Sequence, residues 1–291
     1  MSFAAQLQTF EAEHPYQSLA IDGCSFQYCL CGNPESRHTL VYLVGGTGDP
    51  SAWFAHVQAM EQEYRILLCD YPLGCDEMEP MVHMIARLTD ALGIEKAVWI
   101  GASMGGYVAQ LLTKFYPEKT DAQVLYATSS LTQQGIESLK KQYAGMGVLL
   151  WIIQHLPYKV LVQWFLRPAM RRMIPRDAPA DVKEFLQGFA DWTCAGYTRE
   201  KDIHMTKLQI DLASVTPVTA ADYAYIGGRT MLILPRDETA FTPAMQKDLI
   251  DTMQGAYVEY LSGGHLATLT RADAYAALTR NFLHWIDVKK S

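Results

Sequence analysis

The sequence predicts an α/β fold: a mostly parallel, eight-stranded sheet with helices on both faces and a helical insertion. Three observations lead there. Short β-rich apolar runs alternate with helical patterns. Several runs are apolar throughout, as strands covered on both faces are. One stretch, 131–228, breaks the rhythm without a convincing strand. At 291 residues and 49% hydrophobic, the chain can bury the core such a sheet requires.

Residues 18–21 and 25–31 flank Asp22-Gly23, a good hairpin turn. Further strand runs lie at 39–44, 65–69, 97–100, 123–127, 230–234 and 257–261. Helical patterns occupy 52–63, 78–92, 105–116, 243–254 and 272–286, with Leu92-Gly93 and Tyr116-Pro117 as stop signals. A hairpin leading into strand–helix repeats implies right-handed crossovers, which put functional loops at the carboxyl ends of the strands. The stretch 131–228, punctuated by Pro157, Pro168, Pro175 and Pro179, is too long for a structureless loop. It reads as a helical cap inserted between two parts of one core, 1–130 and 229–291.

The net charge of −7 is spread along the chain and no Lys/Arg-rich run occurs, which disfavours nucleic acid as a partner. Residues 1–17 carry Glu11 and Glu13 and lack the pattern of a signal peptide. The most apolar segment, 147–153, is interrupted by Gln154 and His155, far short of a membrane span. Cys24, Cys29, Cys31, Cys69, Cys75 and Cys194 form no disulfide framework, and Cys29-x-Cys31 is no zinc spacing. The expectation is a soluble, cytoplasmic protein with free thiols, no metal and no cofactor.

Gly101-Ala102-Ser103-Met104-Gly105-Gly106 follows a strand run and precedes a helical one. A G-x-S-x-G match alone is weak, and this context makes it strong. A serine on such an elbow needs a sharp, strained turn with no bulky neighbours, which the flanking glycines permit. The helix start also aims N–H groups and a positive dipole end at the serine oxygen. Ser103 is therefore the candidate nucleophile. Val44-Gly45-Gly46-Thr47-Gly48 lacks the Lys-Ser/Thr of a phosphate loop. It can supply a backbone N–H to an oxyanion instead, from Gly46 or alternatively Thr47, with Met104 as the second donor.

His265 sits in Leu261-Ser262-Gly263-Gly264-His265-Leu266, past the last strand run, where paired glycines let an imidazole reach back over the sheet. Its place in chain order after Ser103 and an acid makes it the candidate base. The acid lies in Pro235-Arg236-Asp237-Glu238-Thr239. Asp237 is favoured as the shorter side chain, and Glu238 stays open. Asp70, before the nucleophile and near Pro72, reads as a turn-stabilising residue.

The cap segment 148–173 is rich in large apolar residues, among them Leu149, Leu150, Trp151, Trp164 and Phe165. Packing between cap helices is the expected role. A hydrophobic wall for a substrate, edged by Arg167, Arg171 and Arg172, is the sharper one. A membrane-surface helix is disfavoured because the pattern is not cleanly two-faced.

Together these residues resemble the α/β-hydrolase superfamily, and within it the capped, maspardin-like hydrolases. The resemblance is carried by Gly45-Gly46, Asp70-Tyr71-Pro72, the Gly101 to Gly106 elbow, Asp237-Glu238 and Gly264-His265. It implies a Ser–Asp/Glu–His triad working without cofactor through an acyl-enzyme. Two departures stand out: Val44 where a His often precedes the oxyanion glycines, and a glycine-rich turn reduced to Leu73-Gly74-Cys75. Both bear on substrate class more than on chemistry. The expected function is hydrolysis of a small apolar carboxylic ester or thioester. The alternatives are a non-catalytic binding protein on the same fold, or a carbon–carbon bond hydrolase or acyltransferase using the same triad. A dehalogenase is disfavoured, since that chemistry wants a carboxylate at position 103.

Overall fold

The computed structural model describes residues 3–175 and 177–290. Eight strands form one sheet: β1 (Gln17–Ile21), β2 (Cys24–Gly32), β3 (Thr39–Leu43), β4 (Arg65–Cys69), β5 (Ala97–Ala102), β6 (Thr120–Tyr126), β7 (Thr230–Pro235) and β8 (Tyr257–Leu261). Their order is β1-β2-β4-β3-β5-β6-β7-β8. The β1/β2 hairpin and the β2/β4 pair are antiparallel, and the remaining pairs are parallel. The hairpin turns on Asp22 and Gly23, both at positive φ.

Why the central strands read as continuous apolar runs is visible in their two faces. Along β3, Val41 and Leu43 enter one core, while Leu40 and Tyr42 enter the other. In β7, Leu232 and Leu234 face the first core and Met231 and Ile233 the second. A strand buried on both sides has no polar alternation to show.

The first core is covered by α3 (Met78–Ala91) and α4 (Met104–Phe115), joined by α11 (Pro243–Thr252). The second lies under α2 (Phe54–Met60) and α13 (Ala272–Lys290), and under α1 (Phe3–Glu13), a helix the sequence reading did not anticipate. α1 buries Phe3, Leu7 and Phe10. His14, just past its end, donates from Nδ1 to Phe10 O at 3.0 Å and from Nε2 to Glu61 at 2.6 Å. All six thiols are unpaired.

Between β6 and β7 the chain is helical. α5 (Gln133–Gln142) buries Ile136 and Leu139 in the first core, so the expected 131–228 insertion includes a helix that belongs to the core layer. The lid itself comprises α6 (Met146–His155), α7 (Tyr158–Leu161), a π-turn (Val162–Leu166), α8 (Arg167–Arg172), α9 (Ala180–Gly196) and α10 (Arg199–Asp211). The apolar stretch within it does not pack away as expected. Ile153 and Leu161 are buried, but Trp151, Trp164 and Phe165 face solvent.

At the amino ends of the strands, buried His38 sits between two carboxylates, Nδ1 at 2.6 Å from Asp121 and Nε2 at 3.1 Å from Asp287 on α13. Burial alone would lower its pKa, and the two carboxylates outweigh that and raise it. A raised folded pKa stabilises fully below the unfolded value of about 6.5 and is lost as pH climbs through the folded one. His38→Gln is therefore expected to destabilise most below about pH 6, with the deficit narrowing toward alkaline pH. Urea midpoints of both proteins across that range check it. A pH-independent deficit would contradict the ion-pair account.

Candidate active site

β5 hands over to α4 through Ser103, which holds φ 53° and ψ −122°. Such a conformation costs of order 1–3 kcal/mol and persists only when its surroundings enforce it. Here they do. Ser103 N–H donates to Tyr126 O at 3.1 Å, Ser103 O accepts from Gly106 N–H at 3.0 Å, and the Thr128 hydroxyl donates to the same carbonyl at 2.8 Å. The glycines leave no alternative. A Cβ on Gly101 would lie 2.1 Å from Gly105 O, and one on Gly105 would lie 2.3 Å from Leu43 O.

Ser103 and His265 line one cavity of about 240 Å³ with Gly45, Gly46 and Thr47. His265 arrives on the loop after β8, where Gly263 and Gly264 stand at φ 120° and 64°. The sequence preference for Asp237 as its partner is corrected by the geometry. His265 Nδ1 donates to Glu238 Oε2 at 3.0 Å. Asp237 is exposed and instead accepts the Gly263 N–H at 2.9 Å.

The physical reason lies in depth. The Glu238 side chain is 2% exposed, where an uncompensated carboxylate costs several kcal/mol. Burial would raise its pKa, but His265 and the N–H groups of Ala240 and Thr239, at 2.7 and 2.8 Å, outweigh that and lower it. Held low in this way, the Glu238 carboxylate accepts the Nδ1 hydrogen bond of His265, which leaves Nε2 as the ring nitrogen not engaged by it. Glu238 turns inward from the loop to meet His265. Asp237 uses its shorter arm to hold the histidine loop.

Gly46 faces the cavity, and Met104 opens α4, whose first N–H groups lack helical partners. Gly48 N–H donates to Gly45 O at 3.0 Å and tightens the loop between β3 and α2. Asp70 is not a local turn-former. Its Oδ1 accepts the Gln27 N–H at 2.9 Å, tying the end of β4 to β2, and burial pushes its carboxyl up to about 6.

The sequence reading of 148–173 allowed for a hydrophobic wall but named none of the residues that form it. Met170, Met173 and Phe189 close the cavity opposite Trp53, Leu266 and Leu269. Trp53 is fixed by donating Nε1–H to Leu43 O at 3.2 Å. From α10, the Gln209 amide donates to Gly46 O at 3.4 Å, and Met205 sulfur would lie 2.6 Å from a Cβ on Gly48. No local signal marks Gln209 and Met205, whose contacts each span more than a hundred and fifty positions in sequence.

The profile of the Alpha/beta hydrolase family matches residues 40–278. The dihydrolipoyllysine-residue acetyltransferase component of the acetoin cleaving system of Cupriavidus necator is 28% identical over 117 residues, 38% of this chain and 31% of that protein. The match thus spans under a third of that relative's length. The 2-hydroxy-6-oxo-6-phenylhexa-2,4-dienoate hydrolase of Burkholderia cepacia is 27% identical over 242 residues, 76% of this chain and 77% of that protein. A hydrolase from Pseudomonas aeruginosa PA01 superposes with a TM-score of 0.68 at 21% identity, over 92% of this chain and 98% of that one. At that identity the likeness speaks for the fold.

Gly105→Ala tests the elbow directly. Overpacking against the Leu43 carbonyl is expected to cost about 1–3 kcal/mol of stability, read from denaturant unfolding. An unchanged midpoint would mean that the strand and helix can separate more readily than their contact indicates.

Proposed function

We propose that this chain, which belongs to the Alpha/beta hydrolase family, cleaves carboxylic esters of small apolar substrates through an acyl-enzyme on Ser103. One observation carries the reading: the strained Ser103 shares a cavity with His265, whose outer nitrogen is held by buried Glu238.

Ser103 Oγ attacks the ester carbonyl as His265 Nε2 takes its proton. Negative charge then builds on the former carbonyl oxygen, facing the backbone N–H groups of Met104 and Gly46. Each such donor is worth about 3 kcal/mol in the transition state. Collapse expels the alcohol, which takes the proton from His265. Water then enters, His265 deprotonates it, and the acid leaves with Ser103 restored. Glu238 stays ionised throughout and stabilises the imidazolium.

The substrate class follows from the walls. Met170, Met173, Phe189 and Leu266 offer an acyl or aromatic group no polar partner, and the volume suits a small one. The Burkholderia cepacia relative, a hydrolase of a carboxylate-bearing dienoate by its name, supports carbon–carbon bond cleavage as a second reading. A substrate carboxylate is favoured by a cation nearby, and the described lining residues include no Lys or Arg. Ester hydrolysis is therefore preferred. A binding protein would have no use for a strained serine beside a paired histidine.

Turnover of p-nitrophenyl esters from acetyl to dodecanoyl is expected to peak at short chains. Ser103→Ala should lower it by at least ~10³-fold and Glu238→Ala by about 10³–10⁴-fold. Asp237→Ala keeps the His265 contact and should stay within about tenfold of wild type. A larger loss at Asp237 than at Glu238 would reverse the assignment. Failure of Ser103 to react with a fluorophosphonate would favour the binding protein.

A further inference from the structure

The cap presents a surface that the cavity does not use. α7, the π-turn and α8 run on as one rod. Leu161 on it is buried, and Met170, with Met173 just past its end, reaches the cavity. Its outer side is different. Val160 and Trp164, one turn apart, are open to solvent with Phe165, Trp164 at 68% and Phe165 at 63% exposure. On α6, Val148 and Trp151, also a turn apart, are exposed as well. The rod is apolar around most of its circumference because one side meets the cavity and the other side meets solvent, which is why its sequence shows no clean division into two faces. Open aromatic residues at this density mark a surface that is covered in use.

Charge identifies the cover. From Met146 to Met173 the chain carries Lys159, Arg167, Arg171 and Arg172 and no acidic residue, in a protein whose net charge is −7. Arg167 and Arg171 share one carboxylate, Asp191 on α9, at 3.4 and 2.8 Å, so the pair keeps a positive excess. Lys159 and Arg172 are exposed on the same rod as the aromatics. Indole rings favour the boundary between water and hydrocarbon, and long cationic side chains reach phosphates. No helix among the described residues is long and apolar enough to cross a membrane, so the contact would be peripheral.

We propose that this face of the cap docks on an anionic phospholipid membrane, with Trp164 and Phe165 in the headgroup region and Lys159, Arg171 and Arg172 on lipid phosphates. Met173 connects the docking surface to the site, being 54% exposed and also a cavity wall. Docked this way, the cavity mouth opens at the lipid. An ester dissolved in the membrane then reaches Ser103 past Met173 and Met170, a consequence that rests on the esterase reading.

Vesicle flotation of the full chain tests it, with phosphatidylcholine alone against phosphatidylcholine mixed with phosphatidylglycerol. Wild type should float with the anionic vesicles and be released as salt rises, with a blue shift of tryptophan emission on binding. Trp164→Ser combined with Phe165→Ser should lose most of that binding, and Arg172→Glu should weaken it. Neither aromatic residue lines the cavity, so the double variant should melt like wild type and turn over a water-soluble acetyl ester unchanged. Equal flotation with both vesicle types, or full binding by the double variant, would overturn the proposal. So would a wild-type dimer that ignores vesicles and dissociates in the double variant, since the face would then join two copies. Flotation needs no substrate, so an inactive protein that floats removes the esterase reading and leaves the docking surface standing.

Discussion

Where β5 runs into α4 there is no room for a side chain. Gly101 and Gly105 bring the two backbones into contact, and Gly105 at the same time touches the carbonyl of Leu43 on β3. Strand, helix and neighbouring strand are thereby fixed closely relative to one another. The strain at Ser103 is held by its N–H donating to the Tyr126 carbonyl and by the Thr128 hydroxyl donating to the Ser103 carbonyl, so the ends of β5 and β6 act as one unit. The remaining parts are arranged around that point. The Gly45–Gly48 loop leaves β3 beside it, and Glu238 and His265 follow β7 and β8 farther along the same carboxyl edge.

Much of this was legible in the sequence because the signals are local. Glycines at fixed offsets, apolar runs between turns and a histidine behind paired glycines each report on their own neighbourhood. α1 was legible too, in the spacing of Phe3, Leu7 and Phe10, although a reading directed at signal peptides passes over it. The choice between Asp237 and Glu238 was not. Both sit in the same loop, and which one turns inward depends on the depth of His265 beneath it, a distance set by two separate strands. The outward aromatics of the cap were hidden for a related reason. Periodicity shows that a helix is apolar but not which of its sides finds a neighbour.

The cap meets the core unevenly. On one flank, α10 is held by Lys201 with Asp49, His204 and Lys207 with Asp76, and Asp211 with the amide of Met78 at the start of α3. Burial alone would raise the Asp76 carboxyl, and Lys207 and His204 keep it below the ordinary aspartate range. On the other flank, α8 and the residue just past it touch the cavity through Met170 and Met173, two flexible side chains. Polar bonds secure one side and adaptable apolar contacts fill the other, so any widening of the entrance belongs to the methionine side.

The contact from Gln209 to the Gly46 carbonyl has a further consequence for how such a protein can change over time. Lids are usually regarded as interchangeable parts that diversify substrate range while the machinery below is left alone. In this molecule α10, which lines none of the pocket itself, holds the loop on which charge would settle, while Met170, Met173 and Phe189 from the segment before it close the pocket. Remodelling α10 would therefore disturb the chemistry without enlarging the pocket, whereas the α8–α9 portion, which supplies Met170 and Phe189 to the wall, is the part free to vary with the substrate.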